Sequence, residues 1–438
     1  MWNTTIIKSK VFNRLNSKLK SSKLVSNFSY LTILQSITVL IPLLIYPFLL
    51  LRLGGEIYGK IIYATALNAY LLVLVNYGFD ISVVNSIAEN RKNKTKLFDI
   101  FINVFWSKMF LLASSYLFLF FGIFTIPFMI ENKILCLLTS LVTIGEVLIP
   151  RWYFLGIEEL KYTTISVVIS KVISVLLLFI FIKGEEDYLL VPTFIGIGGV
   201  AGGLFSINKA FKDLMYSKKI IWKNFKPNIN SIQNLIVNDF TFFLSRGFVV
   251  IREKAGILII GQLFGFTEVT AFDLVQKIVR VLTIPIDMVN MVIFPRVAKT
   301  KNVGFVKKGI LISLGYAIFC YLIILLFPFS SVEYFKTNSM FNVVKSLMYI
   351  FGFGLILQVF VYFSGNTVLL VHGYKKAFNF TAIYGGAIYL VFLLYAYTTD
   401  ITIDWIGYCT IISYIFIILT RVYFINKYKL WNGRKTSV

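Results

Sequence analysis

Long apolar runs alternate with short polar connections from residue 28 to residue 426, and each run has about the 20 residues that a helix needs to cross the hydrocarbon core of a bilayer. Twelve runs are read, at 28–50, 57–80, 98–124, 134–155, 163–182, 188–210, 235–261, 268–294, 305–328, 345–371, 377–398 and 402–426. Basic residues fill every second connection. Arg91, Lys92, Lys94 and Lys96, the stretch from Lys209 to Lys226, Arg296 with Lys299, Lys301, Lys307 and Lys308, and Lys375 with Lys376 fall on one side; Glu185, Glu186, Asp187, Asp400 and Asp404 mark the other. Connections rich in Lys and Arg stay in the cytoplasm. Both tails are therefore expected there, the first with Lys8, Lys10, Arg14, Lys18, Lys20 and Lys23, the last with Arg421, Lys427, Lys429, Arg434 and Lys435.

The longest connection, 211–234, lies near the chain midpoint, is rich in Lys and holds Pro227, so it reads as a linker between two halves. The expected organisation is a cytoplasmic tail at 1–27, six helices at 28–210, the linker, six helices at 235–426 and a cytoplasmic tail at 427–438. An internal echo agrees. Leu53-Gly54-Gly55-Glu56, after the first run, matches Phe264-Gly265-Phe266-Thr267-Glu268, after the seventh. Six crossings per half bring both copies in from the same side, which makes a parallel repeat about an axis along the membrane normal.

Composition excludes the soluble classes. Mean hydropathy is +0.80, with 58% hydrophobic and 14% charged residues, against about 45–50% and 25% in soluble domains. The net charge of +23 sits mostly in short connections facing anionic lipid, so nucleic acid is not an expected partner. Cys136, Cys320 and Cys409 fall in apolar runs and read as small hydrophobes, and no metal or other cofactor is expected. No phosphate loop of the Walker type occurs, and the longest connection has no room for an ATPase domain. Gly196 to Gly203 lies in an apolar run with no preceding strand, so Gly198/Gly202 and Gly199/Gly203 read as helix-packing pairs. Pro42, Pro47 and Pro285 should bend their helices. His372, in a basic turn, reads as solvated.

Charges inside the runs carry the chemistry, because each costs roughly 2.5–3.5 kcal/mol at a helix centre unless it has a partner or a wet cavity. In the eighth run Asp273, Lys277, Arg280 and Asp287 are spaced 4, 3 and 7 and share one helix face. In the seventh, Asp239, Arg246 and Glu253 share a face, with Lys254 at its edge and Arg252 directed elsewhere. The first half adds Lys171 and Glu146 near midplane, with Lys108 a little off it and the neutral Asn68. Two readings follow: structural pairs, such as Asp273 with Lys277 or Glu146 with Lys171, or a net basic cavity for an anion, for which the fork of arginine suits phosphate. On the second reading Arg246, Arg252, Lys277, Arg280 and Lys171 bind an anionic headgroup, and Glu146, Asp287 and Asp273 are candidates for ion coupling. Glu146 leads these, read as a midplane carboxylate without a basic partner on its own span.

Several blocks resemble a known family. They are Pro42-Leu-Leu-Ile-Tyr-Pro47 through Leu53-Gly-Gly-Glu-Ile-Tyr-Gly59; Asn76-Tyr-Gly-Phe-Asp80 with Ile87-Ala-Glu-Asn-Arg91; Pro150-Arg-Trp-Tyr-Phe-Leu-Gly-Ile-Glu158; Ser170-Lys171-Val-Ile-Ser174 with Glu186-Asp-Tyr-Leu-Leu-Val-Pro192; and Gln276-Lys-Ile-Val279 with Phe294-Pro-Arg-Val297. They are similar to the bacterial polysaccharide flippases, which carry O-antigen or capsule repeat units and belong to the multidrug/oligosaccharidyl-lipid/polysaccharide exporter superfamily. The blocks cover most of residues 28–300; the last third matches only in hydropathy. Asn85 and Gln276 depart from the basic and acidic residues that relatives often have there.

The resemblance implies an all-α polytopic membrane protein with two six-helix lobes around a central cavity that opens alternately to each face. It implies no enzyme activity, and a substrate that is an oligosaccharide on undecaprenyl pyrophosphate, moved across a bacterial inner membrane. Membrane lipids, the polysaccharide polymerase and the chain-length machinery are the implied partners. Two alternatives stay open: a drug antiporter of the same superfamily, which would want an acidic cavity, and an O-antigen polymerase, which would want a large outer loop.

Overall fold

The computed structural model describes residues 3–215, 228–327, 340–399 and 402–432. The described chain is helical throughout. The first lobe is built from α1 (Asn3–Asn76), α2 (Phe79–Glu89), α3 (Lys94–Thr125), α4 (Pro127–Glu131), α5 (Lys133–Leu148), α6 (Arg151–Gly156), α7 (Leu160–Phe181) and α8 (Leu190–Met215). The second comprises α9 (Ile229–Leu263), α10 (Phe266–Thr300), α11 (Val303–Leu326), α12 (Met340–Tyr362) with a π-helical continuation Phe363–Leu370, α13 (Lys375–Thr398) and α14 (Asp404–Lys427). The linker expected at 211–234 is shortened by both neighbours, since α8 runs to Met215 and α9 starts at Ile229. Residues 216–227 of that linker and 433–438 of the tail, with Arg434 and Lys435, lie outside the described residues.

Eleven helices among the described residues are long and apolar enough to cross a membrane. The first of them, Ser29–Asn76, has 48 residues, about 72 Å at 1.5 Å per residue, which is more than two bilayer cores. It is broken at Gly54, with φ 73° and ψ 167°, so it supplies two crossings and brings the described total to the twelve read from the sequence. Gly265, between α9 and α10, has φ 112° and ψ 176°. Both glycines occupy a region essentially closed to residues with a Cβ, and they are the paired positions of the internal echo. The break in α1 falls there; Pro42 and Pro47 lie inside otherwise continuous helix.

At the end carrying the basic connections, three helices open on asparagine caps. Asn93 accepts from the backbone of Lys96, Asn228 from Ser231 and Asn302 from Gly304. Within the first lobe α8 packs on α5 and α7 through its glycines. A Cβ on Gly145 would strike the backbone of Gly199, and one on Gly198 or Gly202 would strike Ser170 or Ser166 on α7, which makes these the close-packing pairs expected.

The lobes meet at both ends. At the far end Tyr46 donates to Thr270 O at 2.5 Å, Thr270 donates to Gly55 O at 2.6 Å, and Gly59 lies flat against the Phe266 carbonyl. At the basic end Tyr77 stacks on Phe243 at 4.7 Å between ring centroids, and Ser82 donates to Asp239 at 2.5 Å.

Arg421 is not a tail residue. It lies in α14, 5% exposed, where Nη1 donates to Val361 O and Nε to Thr381 Oγ1 at 3.1 Å, while its guanidinium covers the Phe378 ring. The π-helical turn that follows Val361 shifts the hydrogen-bond register, and Arg421 supplies a donor to the carbonyl at that junction.

Candidate functional site

Two cavities meet along one face of α10. The larger, about 600 Å³, lies between the lobes, and its polar lining is Gln35 and Thr38 of α1, Glu146 of α5, Arg151 of α6, Ser170 and Lys171 of α7, and Lys277 and Arg280 of α10. The other, about 410 Å³, lies within the second lobe and is lined by Arg252, Glu253 and Lys254 of α9, Asp273, Gln276, Lys277 and Arg280 of α10, Gln358 and Tyr362 of α12, and Tyr414 of α14. Lys277 and Arg280 face both. Among the described residues the two linings hold six cations against three carboxylates, so the chambers share a net positive potential.

The spacing along α10 does what helix geometry requires. Lys277 pairs with Asp273 one turn back, and its ammonium lies 4.7 Å from the Tyr46 ring and 5.9 Å from the Tyr58 ring. Two aromatic faces and one carboxylate thus hold a lysine in a largely apolar setting. Arg280 donates from Nη1 to Tyr362 Oη at 3.1 Å and stands 3.8 Å from Asp287 Oδ2. Asp287 also accepts from Gln35 Nε2 at 2.8 Å, which ties α10 to the other lobe. The side chain of Arg280 remains 48% exposed, leaving donors for a further anion. Arg252 lies over the Tyr414 ring at 5.3 Å.

The first lobe answers with Arg151. Straight helix would place residues five apart about 140° around the axis from each other, yet Arg151 Nη2 reaches Glu146 Oε2 at 3.0 Å. The helix ends at Leu148, and Ile149 and Pro150 redirect the chain before α6 begins. Trp152, Tyr153 and Phe154 then anchor that turn: all are buried, and Tyr153 donates to Asp213 at 2.5 Å, an acid also held by Lys94 at 2.8 Å. Arg151 Nε is buried without a hydrogen-bond partner among the described residues.

Of the residues expected to bind an anion, Lys171, Lys277, Arg280 and Arg252 line the chambers. Lys171 makes no hydrogen bond or ion pair with any described residue. Arg246 is exposed and lines neither chamber; it lies two turns from Glu253 on the same face of α9. Of the expected coupling carboxylates, Asp273 sits on Lys277 and Asp287 beside Arg280. Glu146 is a correction. Its partner is neither absent nor Lys171: it pairs with Arg151, which falls inside the 134–155 run but beyond the break that ends α5. Asp239 is bound to Ser82 at the basic end and takes no part in the central site. Lys108, 2% exposed, donates to Asn76 Oδ1 at 2.9 Å. No group of His, Cys, Asp and Glu among the described residues could hold a metal ion.

A family model described as polysaccharide biosynthesis protein matches residues 24–301. An Escherichia coli (strain K12) protein named "Putative O-antigen transporter" is 26% identical over 381 residues, covering 85% of this chain and 89% of the relative. A Shigella dysenteriae protein of the same name is 25% identical over 301 residues, 67% and 72% of the two chains. In fold, the chain is similar to an inward-facing multidrug resistance MATE family transporter of the MOP superfamily, with TM-score 0.63, 14% identity and coverage of 87% and 95%. It is also similar to an outward-facing transporter of the same description, with TM-score 0.59, 15% identity and coverage of 95% and 97%.

Proposed function

Because the chain belongs to the polysaccharide biosynthesis protein family and is a multi-pass membrane transporter rather than an enzyme, we propose that it flips an oligosaccharide linked to undecaprenyl pyrophosphate from the inner to the outer leaflet of a bacterial inner membrane. One observation carries this reading: cations from both lobes, Arg151 and Lys171 on one side and Lys277 and Arg280 on the other, line a single cavity between them. A pyrophosphate bridging them is bound by whichever pair of surfaces the lobes leave facing it, so the lobes can rock about a fixed headgroup while the sugars lie in water and the prenyl chain stays in lipid. The division into lobes at 28–210 and 235–426, cytoplasmic tails, and delivery of the product to polymerase and chain-length machinery belong to the same proposal.

Beside the ion coupling expected of them, the carboxylates suit a second part. Glu146, Asp273 and Asp287 each stand beside a cavity cation, and we assign them the role of internal counter-anions. They hold Arg151, Lys277 and Arg280 in place when the cavity is empty and yield to the stronger, bidentate phosphate when it is filled. A cavity with a surplus of cations does not suit a cationic drug, and the polymerase alternative would want a large outer loop.

Deleting the gene tests the proposal. Lipid-linked repeat units should accumulate on the cytoplasmic leaflet, and the intact gene should restore surface polysaccharide. Normal surface polysaccharide without such accumulation contradicts it.

A further inference from the structure

A third chamber lies apart from the cationic ones. It occupies about 400 Å³ at the basic end, between α2 and α3 of the first lobe and α9 of the second. Apart from Asp239, its polar lining is neutral. Ser86, Ser231, Asn234 and Asn238 line it, and their side chains make no hydrogen bond or ion pair with any described residue. Asn103 adds a side-chain carbonyl that accepts only weakly, from Asn228 N at 3.4 Å. No cation lines it among the described residues; its one carboxylate, Asp239, is 5% exposed and already accepts from Ser82. Val83, Ile100 and Leu235 give it an apolar wall.

Hydroxyls and amides that offer both donors and acceptors, beside an apolar wall, match a sugar ring, which presents hydroxyls at its edge and C–H groups on its faces. The obvious rival is a monovalent cation held by Asp239. The lining disfavours it: the single carboxylate already accepts from Ser82, and the remaining polar side chains are spread over α2, α3 and α9 along a chamber of about 400 Å³, within the range of organic ligand pockets. The Ser82–Asp239 bond joins α2 to α9, and the Tyr77–Phe243 stack joins the turn before α2 to α9, so an occupant would touch both lobes where they meet.

We propose that this chamber is a glycan subsite, reading sugars of the cargo at the basic end before or while its headgroup enters the cationic cavity. The inference rests on the chain being a carrier of lipid-linked oligosaccharide, and it adds where sugar identity is read. Asn234 and Asn238 are the specificity residues it names. Both are exposed in the chamber and unbonded within the described protein, so their removal leaves the fold intact.

The test uses purified full-length protein in vesicles and two probes: the lipid-linked oligosaccharide pool extracted from the producing strain, and bare undecaprenyl pyrophosphate. Asn234→Ala and Asn238→Ala should each slow flipping of the glycan-bearing carrier about tenfold, the loss expected for one hydrogen bond in a partly dehydrated site, and leave the bare carrier unchanged. Oligosaccharide released from the same pool should compete with wild type and not with the double variant. Equal slowing of both carriers overturns the subsite, as does a Na⁺-dependent wild-type rate whose dependence is what the variants lose. If wild type moves neither carrier, the transport reading fails. The chamber is then judged by saturation-transfer NMR with the released oligosaccharide, where wild-type binding lost in the double variant sustains it and absence of binding overturns it.

Discussion

Arg151 reaches back across the Ile149–Pro150 break to Glu146, its Nη2 lying 3.0 Å from Oε2, and so turns toward the cavity that Lys277 and Arg280 line from the other lobe. Arg151→Ala should lower transport at least about tenfold, because it removes a charge-assisted contact of the kind worth about 1.5–3 kcal/mol, with the protein still present in the membrane. Arg151→Lys should recover part of the rate, since charge survives and the fork does not. Surface polysaccharide and immunoblots on the same cells check both.

Arg421 should matter for stability and not for cargo. Arg421→Met removes the donors to Val361 O and Thr381 and leaves a buried carbonyl unpaired, at a cost of about 1–3 kcal/mol. The expected result is a lower melting temperature in detergent, with the dependence of transport rate on substrate concentration unchanged in the protein that survives.

Alternation of the lobes predicts that either end can be locked. In a background with Cys136, Cys320 and Cys409 replaced, the pair Ser82→Cys with Asp239→Cys at the basic end, and Gly55→Cys with Thr267→Cys at the far end, should each stop transport on oxidation and restore it on reduction. The positions are in contact across the lobes. Full transport by a cross-linked pair, verified by mass spectrometry, contradicts separation of the lobes at that end.

Orientation follows from the basic connections. A reporter inserted after Lys92 or Lys376 should be active only in the cytoplasm, and one after Glu186 only outside. An inverted result at Glu186 breaks the orientation assigned to the twelve crossings.

The crossings were legible because a bilayer demands a long apolar run for each, and the run lengths left little freedom. Asp273, Lys277, Arg280 and Asp287 were legible as one face because α10 remains helical across them. Arg151 was not, since its position depends on a change of chain direction at Ile149–Pro150 that periodicity does not encode; Pro150 followed by Arg151 was the available signal. Arg421 was hidden because its partner is a backbone carbonyl at a π-helical turn, which side-chain pattern does not announce. Tyr46 and Tyr58 carry no mark in the sequence that sets them apart from interfacial aromatics, and only the fold brings Lys277 to their rings.

The most direct measurement is the initial flipping rate of lipid-linked oligosaccharide in vesicles containing purified wild type, Lys171→Ala, Lys277→Ala and Arg280→Ala, with melting temperature recorded for each. Wild type should transport, and each variant should lose at least about tenfold in rate because one phosphate contact is lost; Lys171→Ala and Arg280→Ala should melt near wild type, and Lys277→Ala lower, because it leaves Asp273 buried without its partner. Undiminished transport in Lys171→Ala and Arg280→Ala would contradict a pyrophosphate site shared between the lobes.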